Sequence, residues 1–293
     1  MGLFSKIFKK EKKLNKRERP DEPDVYHIPD EDERMNWAIE KAKLTLHYFE
    51  KCLASPKKEQ TYFSIKVKFE DEGKIEHIWL TKPSFDAERN LFGVVGNSPV
   101  NIKSVKLDQK IGVDSAFVSD WMIVENGRLI GGYTIRAVRD GFTGQSLADF
   151  DRSLGGMIVD EGEDYFLPNF ETPEGAITKL EDAYDREDLD EAINCKDFLI
   201  EAKLMLEKMG KDLGEEVTIQ TAEALKLSYI KSLQESGMPK FGNLKRAFPA
   251  RKKINDSQYL ITEVCLYPDG SKSTQVLNTF KTASGWRVLG VED

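Results

Sequence analysis

Histidine is the side chain that most readily moves protons near neutral pH, and the chain's three, His27, His47 and His77, all fall in its first third. Histidine-dependent chemistry is therefore expected only there. His77 has the most legible setting, because it alternates with Ile75 and Trp79 along a run of period two, which puts all three on one strand face. Two roles fit that position: a general base beside an aromatic platform, or a hydrogen-bonded histidine on a half-buried sheet. No serine or cysteine in a recognisable nucleophile motif accompanies it, which favours the second. Asp120-Trp121 and Arg136 make another constellation. They could line a pocket in which Trp gives area and Arg a planar charged fork, or form a structural Asp–Arg pair with Trp121 in the core.

Other motifs exclude more than they suggest. Cys52, Cys195 and Cys265 are odd in number and far apart, which argues against a disulfide framework and suits a reducing cytosol. None belongs to a Cys-x-x-Cys pair, so no zinc site is expected. Gly93-Val94-Val95-Gly96 and Gly131-Gly132 lack the spacing of phosphate loops and suit bulges or close backbone approach in strands. Lys240, Lys245, Arg246, Arg251, Lys252 and Lys253 are interleaved with Phe241 and Phe248. That pattern fits single-strand nucleic-acid binding or, more commonly, a sheet edge guarded by lysine. The sequence implies no cofactor and no metal.

A chain of 293 residues with 40% hydrophobic and 32% charged side chains suits two domains, each able to bury a core. No apolar run approaches the ~20 residues that cross a bilayer, and Met1–Lys13 has no apolar signal region, so a cytoplasmic location is expected. The net charge of −8 is uneven: residues 1–20 carry eight Lys/Arg against two Glu, leaving −14 for the remainder. An acidic body disfavours nucleic acid as a partner. Leu3, Phe4, Ile7 and Phe8 among the lysines of the basic tail suggest either weak contact with an anionic membrane surface or a mobile solubilising tail.

The elements that would position these residues follow from periodicity. Residues 21–33 hold seven acidic side chains and no basic one, an acidic linker ending where Asp30 and Glu33 have capping-box spacing. Met35, Ala38, Ile39, Ala42, Leu46, Phe49 and Leu53 then mark one amphipathic helix. Strict alternation predicts a strand through Phe63, Ile65, Val67 and Phe69, with a partner over Lys74–Thr81. Short strands are expected at Leu91–Val95 and Ile111–Val113, and a hairpin of Trp121–Val124 with Leu129–Val138 turns at Asn126-Gly127. A second acidic linker covers 160–171. Thr172-Pro173 opens a helix, helices follow over Leu189–Met209 and Thr221–Ser236, and strands at Ser257–Tyr267, Ser273–Lys281 and Trp286–Val291 close the chain. The fold class is α+β in two domains, 34–159 and 172–293, each an antiparallel sheet packed by helices.

Four quoted stretches, Glu76-His77-Ile78-Trp79-Leu80, Gly93-Val94-Val95-Gly96-Asn97-Ser98-Pro99, Ser119-Asp120-Trp121-Met122 and Gly131-Gly132-Tyr133-Thr134-Ile135-Arg136, resemble the bacterial YegJ-like family, domain of unknown function family 2314. That resemblance adds Asn97 to His77, Trp79, Asp120, Trp121 and Arg136 as a candidate binding residue. Three helices followed by Ser257–Tyr267, Asp269-Gly270, Val276–Lys281 and Gly285-Trp286-Arg287-Val288-Leu289 resemble the nuclear-transport-factor-like superfamily, including SnoaL-like proteins. It implies a cystatin-like, cone-shaped roll that often forms homodimers. Enzymatic rolls hold an Asp base, a His–Asp pair or a Tyr donor. Here no His is available, leaving Tyr184, Tyr229, Tyr259 and Tyr267 with Asp182 or Asp185. The expected function is non-enzymatic binding of a protein partner in the bacterial cytoplasm, immunity-like or regulatory. The alternative is a small-molecule binder or enzyme using the cone.

Overall fold

The computed structural model describes residues 15–17, 25–27, 32–210 and 214–292, and the chain divides after Gly162 into two compact units. The apolar tail residues and Asp30 lie outside the described residues. Where no strand is expected, β1 (Asn15–Arg17) pairs antiparallel with β2 (Val25–His27). No helix among the described residues is long and apolar enough to cross a membrane.

The first unit begins with α1 (Glu33–Leu44), capped by Asp32, whose carboxylate accepts from the Arg34 and Met35 amides. The single helix expected from the apolar stripe is broken, because α2 (Leu46–Ala54) starts afresh after Thr45. The cause is tertiary. The Trp121 indole N–H donates to the Ala42 carbonyl at 3.1 Å and to Thr45 Oγ1 at 3.2 Å, and Ala42 O is the acceptor a continuous helix would offer to Leu46. Thr45 is itself fully buried.

Six antiparallel strands follow: β3 (Gln60–Asp71), β4 (Lys74–Phe85), β5 (Leu91–Val95), β6 (Lys110–Val113), β7 (Val118–Glu125) and β8 (Arg128–Gly131). Their spatial order is β6-β5-β4-β3-β7-β8. Glu72-Gly73 and Asn126-Gly127 turn the two tight hairpins, all four residues having positive φ, as type I′ turns require. Phe63, Ile65 and Trp121 face the helices, where Phe49 packs on Phe63 and Trp121. Ser64, Lys66 and Lys68 face away.

The second strand of the Asn126-Gly127 hairpin stops at Gly131 rather than running to Val138. Gly131 and Gly132 adopt φ of 68° and 62°, and α3 (Tyr133–Arg139) leads on to α4 (Gly144–Ser153). A Cβ on Gly131 would sit 2.5 Å from the Trp121 ring. Gly131→Ala is therefore expected to cost about 1–3 kcal/mol in urea unfolding, from left-handed strain alone; a neutral result would contradict the packing described.

The second unit opens on α5 (Pro173–Asp185), with Thr172 accepting from the Gly175 amide and Pro173 in the first turn. The helix expected over Leu189–Met209 is two: α6 (Leu189–Asn194) and α7 (Phe198–Lys208). Between them Lys196 bridges Val288, and the Val288 amide bonds the Cys195 carbonyl, so sheet pairing interrupts the helix. α8 (Gly214–Ser236) starts earlier than its periodicity suggests. The meander β9 (Lys245–Asn255), β10 (Gln258–Leu266), β11 (Lys272–Thr282) and β12 (Gly285–Val291) forms a four-stranded antiparallel sheet. Ala176, Ile177, Leu180 and Ala183 of α5 are buried, as are Ile261, Trp286, Val288 and Leu289. The α+β class, with two antiparallel sheets, is what the structure shows.

Candidate functional site

Register gathers His77, Trp79 and Asp120 on the face of the first sheet opposite α1 and α2. Lys66 lies opposite Trp79 on one side and Asp120 on the other, and Lys68 lies opposite His77. The Lys66 ammonium sits 5.3 Å over the Trp79 ring and donates to Thr134 Oγ1 at 3.2 Å. Thr134 Oγ1 in turn donates to Asp120 Oδ2 at 2.6 Å.

Asp120 is fully buried, yet it is a scaffold group. Its carboxylate accepts from the amides of Trp121, Tyr133 and Thr134 at 2.8, 3.0 and 2.8 Å, capping α3 from a neighbouring strand because Gly132 offers no side chain. Burial pushes its pKa up, with the Thr134 hydroxyl and the Lys66 charge pulling back. Burial pushes Lys66 down, and Asp120 opposes that.

His77 Nδ1 meets Ser119 Oγ at 2.8 Å, a proximity the sequence does not reveal because register, not spacing, creates it. Ser119 is the extra residue where the β3–β7 register slips. It is 1% exposed, and its hydroxyl donates to the Lys66 carbonyl. The Ser119 hydroxyl thus has both His77 Nδ1 and the Lys66 carbonyl within hydrogen-bonding reach, in a site closed to solvent. Ser119→Ala is expected to cost about 1 kcal/mol of stability, read by denaturant midpoint.

The other candidates are equally bound into the scaffold. Asn97 Oδ1 accepts from the Trp79 amide at 2.9 Å while the Gly96 amide takes the Trp79 carbonyl, so Asn97 holds the platform in place. Trp121 is in the core at 0% exposure. Arg136 lies on α3 and not on a strand, and the anticipated pair with Asp120 is not formed. Its guanidinium instead donates to the carbonyls of Gly131 at 2.9 Å, Leu129 at 2.6 Å and Asp160.

In the second unit Tyr184 and Tyr229 join hydroxyls at 2.8 Å, and burial raises both phenol pKa values. Tyr267 does not join them; its hydroxyl contacts Ser273 beside the β10–β11 turn. Asp185 accepts from the Phe241 amide and Asp182 pairs with Arg186. Half of the basic cluster is ion-paired: Lys240 with Glu187, Arg246 with Glu181 and Lys253 with Asp256. Phe248 is buried, and β9 is the sheet edge.

One feature of the first unit lies outside every motif. β3 pairs with β4 as far as Asp71 but with β7 only to Val67, because the chain before β7 turns into a 3-10 turn, Ser115–Phe117. Among the described residues, Lys68–Asp71 thus have no strand on that side. A cavity of about 350 Å³ opens there, lined by Val67, Lys68, Phe69, Glu70, Val113, Asp114 and Phe117. Phe117 is 53% exposed. It belongs to no alternating run, so no pattern marks it. Among the described residues no group of three or more His, Cys, Asp or Glu is arranged to hold a metal ion.

Residues 32–157 match the model of a family described as an uncharacterised protein conserved in bacteria, DUF2314. A Neisseria meningitidis serogroup B protein, provisionally named an ankyrin repeat protein, is 30% identical over 147 residues, covering 47% of this chain and 58% of its own. The uncharacterised protein YegJ of Escherichia coli K12 is 33% identical over 79 residues, 27% of this chain and 51% of its own. The chain thus spans little more than half the length of these relatives. No solved structure matches the chain.

Proposed function

We propose that the first unit is a non-enzymatic recognition module that accepts an extended segment of a protein partner as an added strand along Lys68–Asp71 of β3. The observation that carries this reading is the unpaired edge beside the Phe117 cavity. The two-residue turn makes Asp71 and Lys74 a hydrogen-bonded pair, so alternation turns the main-chain groups of Glu70 away from β4 and toward the free side. Strand addition uses such groups for affinity and pockets for alternate side chains for specificity. The cavity suits one apolar anchor. Lys68 and Glu70 pair with each other at 3.8 Å, leaving exposed Asp114 to meet a Lys or Arg beside that anchor.

A partner that is locally basic also complements the −14 charge of the chain after residue 20, and such complementarity speeds encounter. The relative named for ankyrin repeats supports an interaction role, since stacked repeats present extended binding surfaces. In this reading the protein works in the cytoplasm, where Cys52, Cys195 and Cys265 stay free thiols, and restrains or regulates a basic protein. The test is affinity capture from native cells, comparing the wild-type chain with Phe117→Asp and with Trp79→Ala on the same sheet. Phe117→Asp should lose the partner at least about tenfold, as removal of a central anchor does, with circular dichroism unchanged. Undiminished capture by Phe117→Asp, or no protein captured by wild type, overturns the proposal.

A further inference from the structure

α5 and the sheet of the second unit meet through two carboxyl groups that ought to repel. Glu181 on α5 is 3% exposed and Glu263 on β10 is 0% exposed. The two lie within hydrogen-bonding reach of each other. Each has one oxygen already satisfied: Arg246 of β9 donates to Glu181 Oε2, and Gln275 of β11 donates to Glu263 Oε2 at 2.5 Å. The remaining oxygens, Glu181 Oε1 and Glu263 Oε1, are buried and receive no hydrogen bond from any described group.

Two ionised carboxylates in contact, out of water, with one guanidinium, on Glu181, leave an uncompensated buried charge, which costs several kcal/mol. A single proton removes both problems. It supplies a hydrogen bond between the two carboxyl groups, and it leaves one negative charge against the one positive charge of Arg246.

We propose that Glu181 and Glu263 hold one proton between them in the folded protein, making the α5-to-sheet joint a proton-dependent latch. Two carboxyls in one site titrate as a pair, the proton being held well above the ordinary range. Burial, and then Glu263 itself, raise Glu181 well above the ordinary glutamate value of 4.5, against the pull of Arg246. The other titratable groups near the pair are Tyr184 on α5 and Cys265 on β10, with Glu163, ahead of α5, acting through Arg246. Burial raises Tyr184 and pushes the Cys265 thiol up to about 12, so both stay neutral while the pair titrates. Glu163 is also raised by burial and needs a control.

The sign follows from proton counting. Above 4.5 the unfolded glutamates are ionised while the folded pair keeps one proton, so the folded state binds more protons. Stability is fully present below that value and is lost as pH rises through the raised folded value. The second unit therefore tightens in mildly acidic surroundings and loosens in alkaline ones.

The experiment follows amide hydrogen exchange of α5 and β10 by mass spectrometry in the full chain, from about pH 5 to about pH 9, with one proton linked to opening changing protection about tenfold per pH unit. Wild type should lose protection at that slope beyond the intrinsic exchange rate. Glu181→Gln replaces the shared proton by an amide N–H, so it should remove the slope and exceed wild-type protection at the alkaline end. Glu263→Gln should do the same and serves if the first variant misfolds. Glu163→Gln, made in both backgrounds, removes that group's share. Equal slopes in wild type and Glu181→Gln overturn the proposal. Should neither amide variant fold, infrared absorption decides: a protonated carboxyl at neutral pH in wild type supports the latch, and its absence overturns it.

Discussion

Trp121→Ala is expected to remove about 3–5 kcal/mol from the first unit, the range for emptying a large buried aromatic, and to leave it at the margin of a typical domain stability of ~5–15 kcal/mol. Trp121 is 0% exposed and touches the rings of Tyr48, Phe49 and Tyr133. Its indole N–H also fixes the joint between α1 and α2, so the substitution takes a donor from the Ala42 carbonyl and the Thr45 hydroxyl as well as opening a void. Urea unfolding followed by circular dichroism measures the loss. A cost below about 1 kcal/mol would mean that the core closes over the site, contrary to close packing of the helices on the sheet.

Asp120→Ala should cost a similar ~3–5 kcal/mol, because removing one partner of a buried ionic group leaves the other uncompensated. Two amides at the start of α3, the Trp121 amide of β7 and the Thr134 hydroxyl lose their acceptor, and Lys66 loses the charge that opposes its burial. The double variant Asp120→Ala with Lys66→Met separates these effects. If the Lys66 charge matters, the second change recovers part of the loss, an interaction energy of about 0.5–3 kcal/mol between neighbours in one network. Strict additivity in the same urea titration would confine the role of Asp120 to capping α3. Since Lys66 lies over Trp79, the double variant also shows whether the platform face survives neutralisation.

Both expectations concern residues that the sequence marks for two opposed roles. Trp121 was open to pocket or core, and packing decided for the core. Asp120 is open, on sequence, to a pocket or to an ion pair with Arg136; the pair is not formed, and its carboxylate caps α3 from another strand. The motif could show that these residues occur together. It could not show the αL turn at Gly131-Gly132 that turns Arg136 onto a helix and aims the α3 amides at Asp120.

His77 and Trp79 were correctly placed on one strand face, since alternation with Ile75 is local. Their partners Ser119 and Lys66 were not legible, because cross-strand neighbours are set by register and by the slip at Ser119. The Phe117 cavity has the same origin: it exists where β7 fails to follow β3, and a missing strand leaves no trace in periodicity. Glu181 and Glu263 each look like ordinary charged residues of an amphipathic helix and an alternating strand. Only the docking of α5 on the sheet shows that both point inward.

By itself the sequence determined what depends on neighbours along the chain. These are the alternation of β3 and β4, the hairpin at Asn126-Gly127, the Thr172-Pro173 helix start, the unpaired cysteines, the acidic body and hence the α+β class. The tertiary structure alone decided where helices break, at Thr45 and Cys195-Lys196, because a distant indole or strand competes for the same backbone groups. It alone decided which polar side chains face each other, where β7 leaves β3 beside Phe117, and which two carboxyls meet in the interior. Those outcomes depend on contacts between residues remote in sequence, whose energies exceed the local preferences that a sequence pattern records.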